Sequence, residues 1–170
     1  HRFWTLSTLA HNTVTVNGED QAYGSEREPS DGNLLLYLPG NDLFQAIEAS
    51  GDRAYPNIIS TYRRLILQIG LSSEHTYYVD LFKVAGGSRH EYTLVGDANH
   101  DGTLETSLEA TPYGETLLPP GISATLPTGE SVKGDAEGHN LAYALIRDVG
   151  QASIAEAWTA TFRSQTEPSG

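Results

Sequence analysis

The residues able to do acid–base or metal chemistry are spread along the chain. The sequence has six histidines and 22 acidic residues, but no two histidines have the His-x-His or His-x3-His spacing that places two metal ligands together. His11 stands at the start of a predicted strand. A loop histidine satisfied by a backbone group and a metal ligand are both open interpretations of it. The local signal for a metal site is therefore weak.

A glycine-rich turn presents an arginine and a histidine side by side. Arg89 and His90 follow the sequence Gly-Gly-Ser at residues 86–88. Such a turn can line a carbohydrate subsite, with the guanidinium and the imidazole as substrate-binding groups. The alternative is a β-bulge or hairpin bend with both side chains in solvent, and the sequence alone leaves both interpretations open.

Residues 97–103 match the first half of a calcium loop. Asp97, Asn99 and Asp101 stand at alternate positions and Gly102 follows, which supplies oxygen ligands and a sharp turn for a hard cation. The twelfth position, where a bidentate glutamate should close the site, is Leu108. A plain hairpin turn is the alternative, and calcium here is the weaker of the metal hypotheses.

Nucleophile and phosphate motifs are missing from the sequence. There is no Gly-x-Ser-x-Gly elbow, and no Lys-Ser/Thr follows the glycine pair at 86–87, so serine hydrolase and nucleotide-binding chemistry have no support. Tyrosines recur on predicted strands. A tyrosine can act as a general base or stack on a sugar ring, but on an alternating strand it is more often a core residue with its hydroxyl at the rim. The strand tyrosines are Tyr62, Tyr77, Tyr78 and Tyr92.

Composition limits the partners and the compartment. The formal net charge is -12, which repels nucleic acid and anionic membranes, and no apolar run approaches the roughly 20 residues that span a bilayer. We therefore expect neither nucleic acid nor a membrane as a partner. Cysteine is absent, so no disulfide framework is available. Methionine is absent as well, even at position 1. We expect the chain to be a fragment of a larger polypeptide, and processing after a signal peptide is the alternative explanation.

Period-two alternation dominates the sequence and predicts strands. Asn17-Gly18 predicts a tight turn, and the apolar run at 34–38 predicts a strand buried on both faces. About ten strands in one core predict an all-β fold, an antiparallel two-sheet β-sandwich with long strands. We expect residues 1–170 to form a single domain, with a loop-rich excursion at 97–135. The other predicted strands are 12–16, 43–49, 58–69, 76–84, 91–95, 141–149 and 154–163.

Two stretches resemble a known family. Residues 11–21, HNTVTVNGEDQ, resemble the HNTV-V-G-Q signature of the heparinase II/III-like family. Residues 64–67, RLIL, and 78–92, YVDLFKVAGGSRHEY, are similar to its R-L and YVVDLFRV-GG-HDY stretch, in the same order and with similar spacing. The resemblance covers residues 1–96 well and the remainder weakly.

The resemblance implies a polysaccharide lyase with an N-terminal α/α toroid and a C-terminal β-sandwich. Such enzymes cleave uronic-acid-containing glycans by β-elimination: a base removes the proton at C5, charge on the carboxylate is stabilised, and the C4 oxygen leaves. The chain then corresponds to the sandwich, which braces the toroid and lines its cleft. The resemblance further implies catalytic residues outside the chain, an acidic polysaccharide as the partner, and a periplasmic or secreted protein.

The resemblance also implies a structural divalent metal, zinc-like, held by two histidines and one aspartate. His11 matches the last of those ligands, and the others would come from residues outside this chain. Many relatives carry a further histidine a few residues after the glycine pair; Val95-Gly96 occupies that region here, which puts any role of that histidine in doubt.

Two other functions stay open. One is a non-catalytic carbohydrate-binding or structural β-sandwich, which would need a row of exposed aromatic residues. The other is a complete small lyase, against which the acidic charge and the lack of a basic cluster argue.

Overall fold

The computed structural model describes residues 2–23, 30–96, 100–125 and 138–164. Within them lie ten strands, the short helix α1 (Arg2–Leu6) and two 3-10 helices, Thr8–Ala10 and Leu141–Leu145. The strands are β1 (Val14–Val16), β2 (Asn33–Asn41), β3 (Phe44–Ser50), β4 (Ile59–Gly70), β5 (Thr76–Gly86), β6 (His90–Tyr92), β7 (Gly102–Thr106), β8 (Thr111–Thr116), β9 (Arg147–Gln151) and β10 (Ala160–Ser164).

The predicted all-β class is confirmed, with antiparallel sheets. The described strands form one four-stranded sheet and three two-stranded sheets, so a two-sheet sandwich is not confirmed. The chain divides into two compact units. Residues 14–91 make one, called here the sheet unit, and residues 1–13 with 92–170 make the other, the terminal unit. The assignment of 1–170 to a single domain stays a prediction.

The four-stranded sheet has the order β2-β3-β4-β5 and dominates the sheet unit. Strands β4 and β5 run for 12 and 11 residues, because β-branched, aromatic and leucine side chains fit the pleated surface along their length. They pair antiparallel from Ile59 opposite Gly86 to Gly70 opposite Thr76. Two glycines in the left-handed region, Gly86 and Gly87, then end β5 where the sequence predicts a break.

The sheet has two faces of different chemistry, because residues opposite each other in an antiparallel register lie on the same side. One face, the apolar face, carries mostly leucine, isoleucine, valine and aromatic side chains. The other, the mixed face, alternates tyrosine and aliphatic residues with amides and charges. Along β5, for example, Tyr77 lies on the apolar face and Tyr78 on the mixed face, opposite Ile69 and Gln68.

The core of the sheet unit covers one end of the mixed face. Val16 is fully buried beside Tyr55 and Tyr62. The hydroxyls of both tyrosines donate to the carbonyl oxygen of Val14, and the Tyr62 ring meets Phe82 edge-on at 4.9 Å between centroids. The apolar segment around β1 is thereby fixed against the β4–β5 end of the sheet.

The prediction that residues 34–38 are buried on both faces is wrong. They do form part of β2, but Leu34 and Tyr37 are 64% and 63% exposed. Strand β2 is an edge of the sheet, with register shifts between Leu34 and Leu36 and between Leu38 and Asn41. A continuous apolar run signals burial only when another layer covers the strand.

The terminal unit has its own small core, in which buried residues of the 3-10 helix Leu141–Leu145 pack with Leu9 and Leu118. The predicted strand at 141–149 is wrong in its first half. The Asn140 side chain accepts a hydrogen bond from the backbone N–H of Ala142, so it caps a helical turn before β9 begins.

The predicted strands at 91–95 and 154–163 are longer than those the structure has, β6 and β10. The excursion at 97–135 contains β7 and β8; residues 97–99 and 126–137 lie outside the described part.

Candidate functional site

Asn17 makes several of the contacts between the two sequence stretches that carry the family resemblance. Asn17 and Gly18 both have positive φ, 55° and 74°, as the predicted tight turn requires. The Asn17 Oδ1 accepts hydrogen bonds from the backbone N–H of Ser88 at 2.8 Å, the Ser88 hydroxyl at 3.1 Å and the backbone N–H of Arg89 at 3.3 Å. Its own N–H donates to the carbonyl oxygen of Arg89.

The glycine at 87 is required by its surroundings. Its φ is +74°, and a Cβ built there would lie 2.4 Å from Cγ1 of Val16. Because Val16 is buried in the core of the sheet unit, it has little room to yield. The turn that follows β5 can therefore approach β1 only with glycine at this position.

Arg89 is the last residue of this turn, and His90 is the first residue of β6. The Arg89 side chain is 53% exposed, with Nε 3.6 Å from Oε1 of Glu91, and Glu91 in turn accepts a hydrogen bond from the Thr15 hydroxyl at 3.1 Å. His90 is exposed, and its Nε2 lies 2.7 Å from the carbonyl oxygen of Gly86. Both side chains are accessible and already have a partner within the chain; their substrate role stays a prediction.

His11 belongs to the terminal unit, so the structure does not place it on the turn of Arg89 and His90. It is exposed, with Nε2 3.1 Å from the carbonyl oxygen of Thr5. Metal-binding histidines often contact a backbone carbonyl oxygen through the ring nitrogen that does not bind the metal; for His11 the metal stays a prediction.

The described residues do not complete a metal site. Among them no group of three or more histidine, aspartate or glutamate side chains could hold an ion. Of the predicted calcium ligands, Asp97 and Asn99 lie outside the described residues, and Asp101 is exposed.

The structure reveals a further contact between residues of the resemblance, which the sequence did not single out. Arg64 on β4 donates to Asp80 on β5 through Nε at 3.0 Å and Nη2 at 2.7 Å, and its guanidinium lies 5.5 Å from the centroid of the Phe82 ring. Pairing the two long predicted strands as a hairpin would have brought these residues together.

Comparisons with known proteins add no relative. No protein-family model matches the chain, and no curated protein or solved structure matches it. Across the described residues, no helix is both long and apolar enough to cross a membrane.

Proposed function

We propose that this chain is the non-catalytic β-rich region of a polysaccharide lyase of the heparinase II/III-like kind, acting with a catalytic α/α toroid on uronic-acid-containing glycans by β-elimination. In this role it braces the toroid, and the turn that carries Arg89 and His90 lines one wall of the cleft. The acidic surface, with its net charge of -12, attracts no polyanion by itself. Substrate capture therefore depends on groups of the catalytic region.

The observation that carries the proposal is that the residues of the resemblance contact one another. The stretches at 11–21 and 78–92 are far apart in sequence, yet the amide of Asn17 holds the turn at Ser88 and Arg89. Arg64 and Asp80, from the RLIL and YVDLF segments, form a two-bond ion pair. Residues that match a family signature by chance are not expected to contact one another. Residues that a family keeps because they maintain one local structure are expected to do so.

The apolar face of the sheet supports the bracing role. Leu38, Phe44, Tyr77 and Leu81 lie on it and are 45%, 43%, 45% and 53% exposed. Central strand β4 is only half-buried from Arg63 to Gly70. Soluble proteins rarely leave a large contiguous apolar surface uncovered, and such patches mark interfaces. We assign this face to the catalytic toroid, the partner that the resemblance implies.

The proposal gives His11 a structural role. A zinc-like ion bound there would be completed by residues outside this chain, and the contact between His11 Nε2 and Thr5 would hold the ring in place. No catalytic residue is assigned within the 170 residues.

The docking assignment is tested in the longer polypeptide that carries the proposed catalytic region. Leu81→Asp puts a charge on the apolar face, and Leu34→Asp is the matched control, since Leu34 lies on the mixed face and is also exposed. We expect Leu81→Asp to lower β-elimination activity and thermal stability, and Leu34→Asp to leave both near the unmodified level. Equal effects of the two variants, or a longer polypeptide inactive on every uronan, would contradict the proposal.

A further inference from the structure

Two exposed tyrosines lie on the mixed face, outside the part that the core of the sheet unit covers. Tyr37 on β2 is 63% exposed and Tyr78 on β5 is 65% exposed. The register places both on this face: Tyr37 is opposite Ile47, and Tyr78 is opposite Gln68. Exposed tyrosine rings on one sheet surface are aromatic groups on which a sugar ring can stack.

Two rows of side chains lie between the tyrosines: Ile47 and Ile66 continue the row of Tyr37, and Gln45 and Gln68 continue the row of Tyr78. Gln68 lies opposite both Tyr78 and Gln45 in the paired strands, so the three form one row across β5, β4 and β3. Both glutamines are half-buried. The Gln45 Nε2 reaches only the carbonyl oxygen of Asn41, at 3.4 Å, and Gln68 makes no side-chain hydrogen bond within the described residues. Their remaining donors and acceptors are available to hydroxyl groups.

The charges on this face neutralise each other. Asp80 and Arg64 form the ion pair already described, with side chains only 26% and 30% exposed. A neutralised face on a protein of net charge -12 has no attraction for a polyanion. The ligand that fits is uncharged.

We propose that the mixed face binds a neutral polysaccharide, one whose pyranose rings have flat apolar faces and equatorial hydroxyls. Such rings stack on the tyrosines, and their hydroxyls exchange hydrogen bonds with Gln45 and Gln68. With strands about 4.8 Å apart and about 3.4 Å per residue, Tyr37 and Tyr78 lie roughly 16 Å apart, a span that several consecutive sugar rings cover. Aromatic side chains with a few placed polar groups are the usual composition of a carbohydrate-sized site.

This binding function is independent of the proposed lyase. A neutral glycan has no uronate carboxylate, so it cannot undergo the β-elimination assigned above, and binding and elimination can fail separately. The face would tether the enzyme to neutral polymers that accompany its acidic substrate.

The experiment is affinity electrophoresis of the 170-residue chain in gels containing soluble hydroxyethyl cellulose, xylan or galactomannan, with alginate and heparan sulfate as charged comparisons. We expect retardation by at least one neutral polymer, unaffected by added salt because no charges are paired on binding. Tyr78→Ala and Tyr37→Ala should each weaken binding about three- to tenfold, and Tyr78→Phe should retain it because the ring is kept. Tyr77→Ala is the matched control: it is the neighbouring residue, also a tyrosine, on the apolar face.

Three results would overturn the inference. They are no retardation by any neutral polymer, retardation by the charged polymers only, and a loss with Tyr77→Ala as large as that with Tyr78→Ala. Circular dichroism of each variant ensures that a lost interaction is not lost folding. If one alanine variant fails to fold, the other and Tyr78→Phe still decide the question.

Discussion

Replacing Asn17 by alanine should destabilise the sheet unit by about 2–3 kcal/mol. One part of this loss is conformational: Asn17 has a φ of 55°, and holding alanine in the left-handed region costs about 1 kcal/mol or more. The other part is the lost acceptor for two backbone N–H groups and one hydroxyl. Each such bond is worth about 0.5–1.5 kcal/mol net, and water partly replaces them because Asn17 is exposed.

The chain offers a matched control in the same unit. Asn57 is also exposed and has a φ of 64°, but its side chain makes no hydrogen bond with the described residues. Asn57→Ala should therefore lose only the conformational part, about 1 kcal/mol. The difference between the two variants, about 1–2 kcal/mol, isolates the amide. Asn17→Gly, which keeps the backbone freedom and removes the amide, should lose a similar 1–2 kcal/mol.

Urea unfolding followed by far-ultraviolet circular dichroism measures these free energies, and hydrogen exchange at β4 amides reports on the sheet unit specifically. Equal losses for Asn17→Ala and Asn57→Ala would refute the reasoning, because the amide would then contribute nothing to joining the two stretches.

Three further variants test the remaining contacts. Gly87→Ala should lower the free energy of unfolding in urea by about 3–4 kcal/mol, because overpacking adds to the strain of a left-handed alanine. Gly121→Ala is the control: Gly121 has φ +86° and nothing lies within 4 Å of the new Cβ, so the loss should be about 1–2 kcal/mol. Similar losses for the two variants would disprove the steric argument. A double-mutant cycle on Arg64 and Asp80 should give a coupling free energy of about 0.5–1 kcal/mol that decreases in high salt. A coupling of zero would mean that this ion pair does not stabilise the sheet. His11→Ala should lower the zinc content of the longer polypeptide in elemental analysis, and unchanged content would end the metal hypothesis.

The local features of the sheet unit were the most predictable from sequence. Asn17-Gly18 requires positive φ at successive positions, and the glycine pair Gly86-Gly87 ends β5. The residues that favour turns therefore located both boundaries. Strands β4 and β5 were evident because their β-branched and aromatic content persists over a length that few other segments of the chain reach.

Burial and short apolar runs were the least predictable. The run at 34–38 is an edge strand without a covering layer, a fact that depends on distant parts of the fold. The apolar run at 141–145 is too short for its periodicity to distinguish a helix from a strand. The structure has a helical turn there, and the Asn140 side chain caps it.

The candidate site was partly predictable. The glycines that precede Arg89 and His90 located the turn that Arg89 ends and after which His90 begins β6. The partners that hold the turn, Asn17 and Glu91, follow only from the three-dimensional pairing of β1 with β6. The mixed face with Tyr37 and Tyr78 was not foreseen, because its composition depends on the register of four strands.

The central claim is tested most directly by following the ultraviolet absorbance of the unsaturated β-elimination product on a panel of uronic-acid polysaccharides. The 170-residue chain and the longer polypeptide that includes the proposed toroid are assayed side by side. The account predicts no product from the chain alone and clear product from the longer polypeptide on at least one uronan. Product from the chain alone, or none from the longer polypeptide on any uronan, would contradict it.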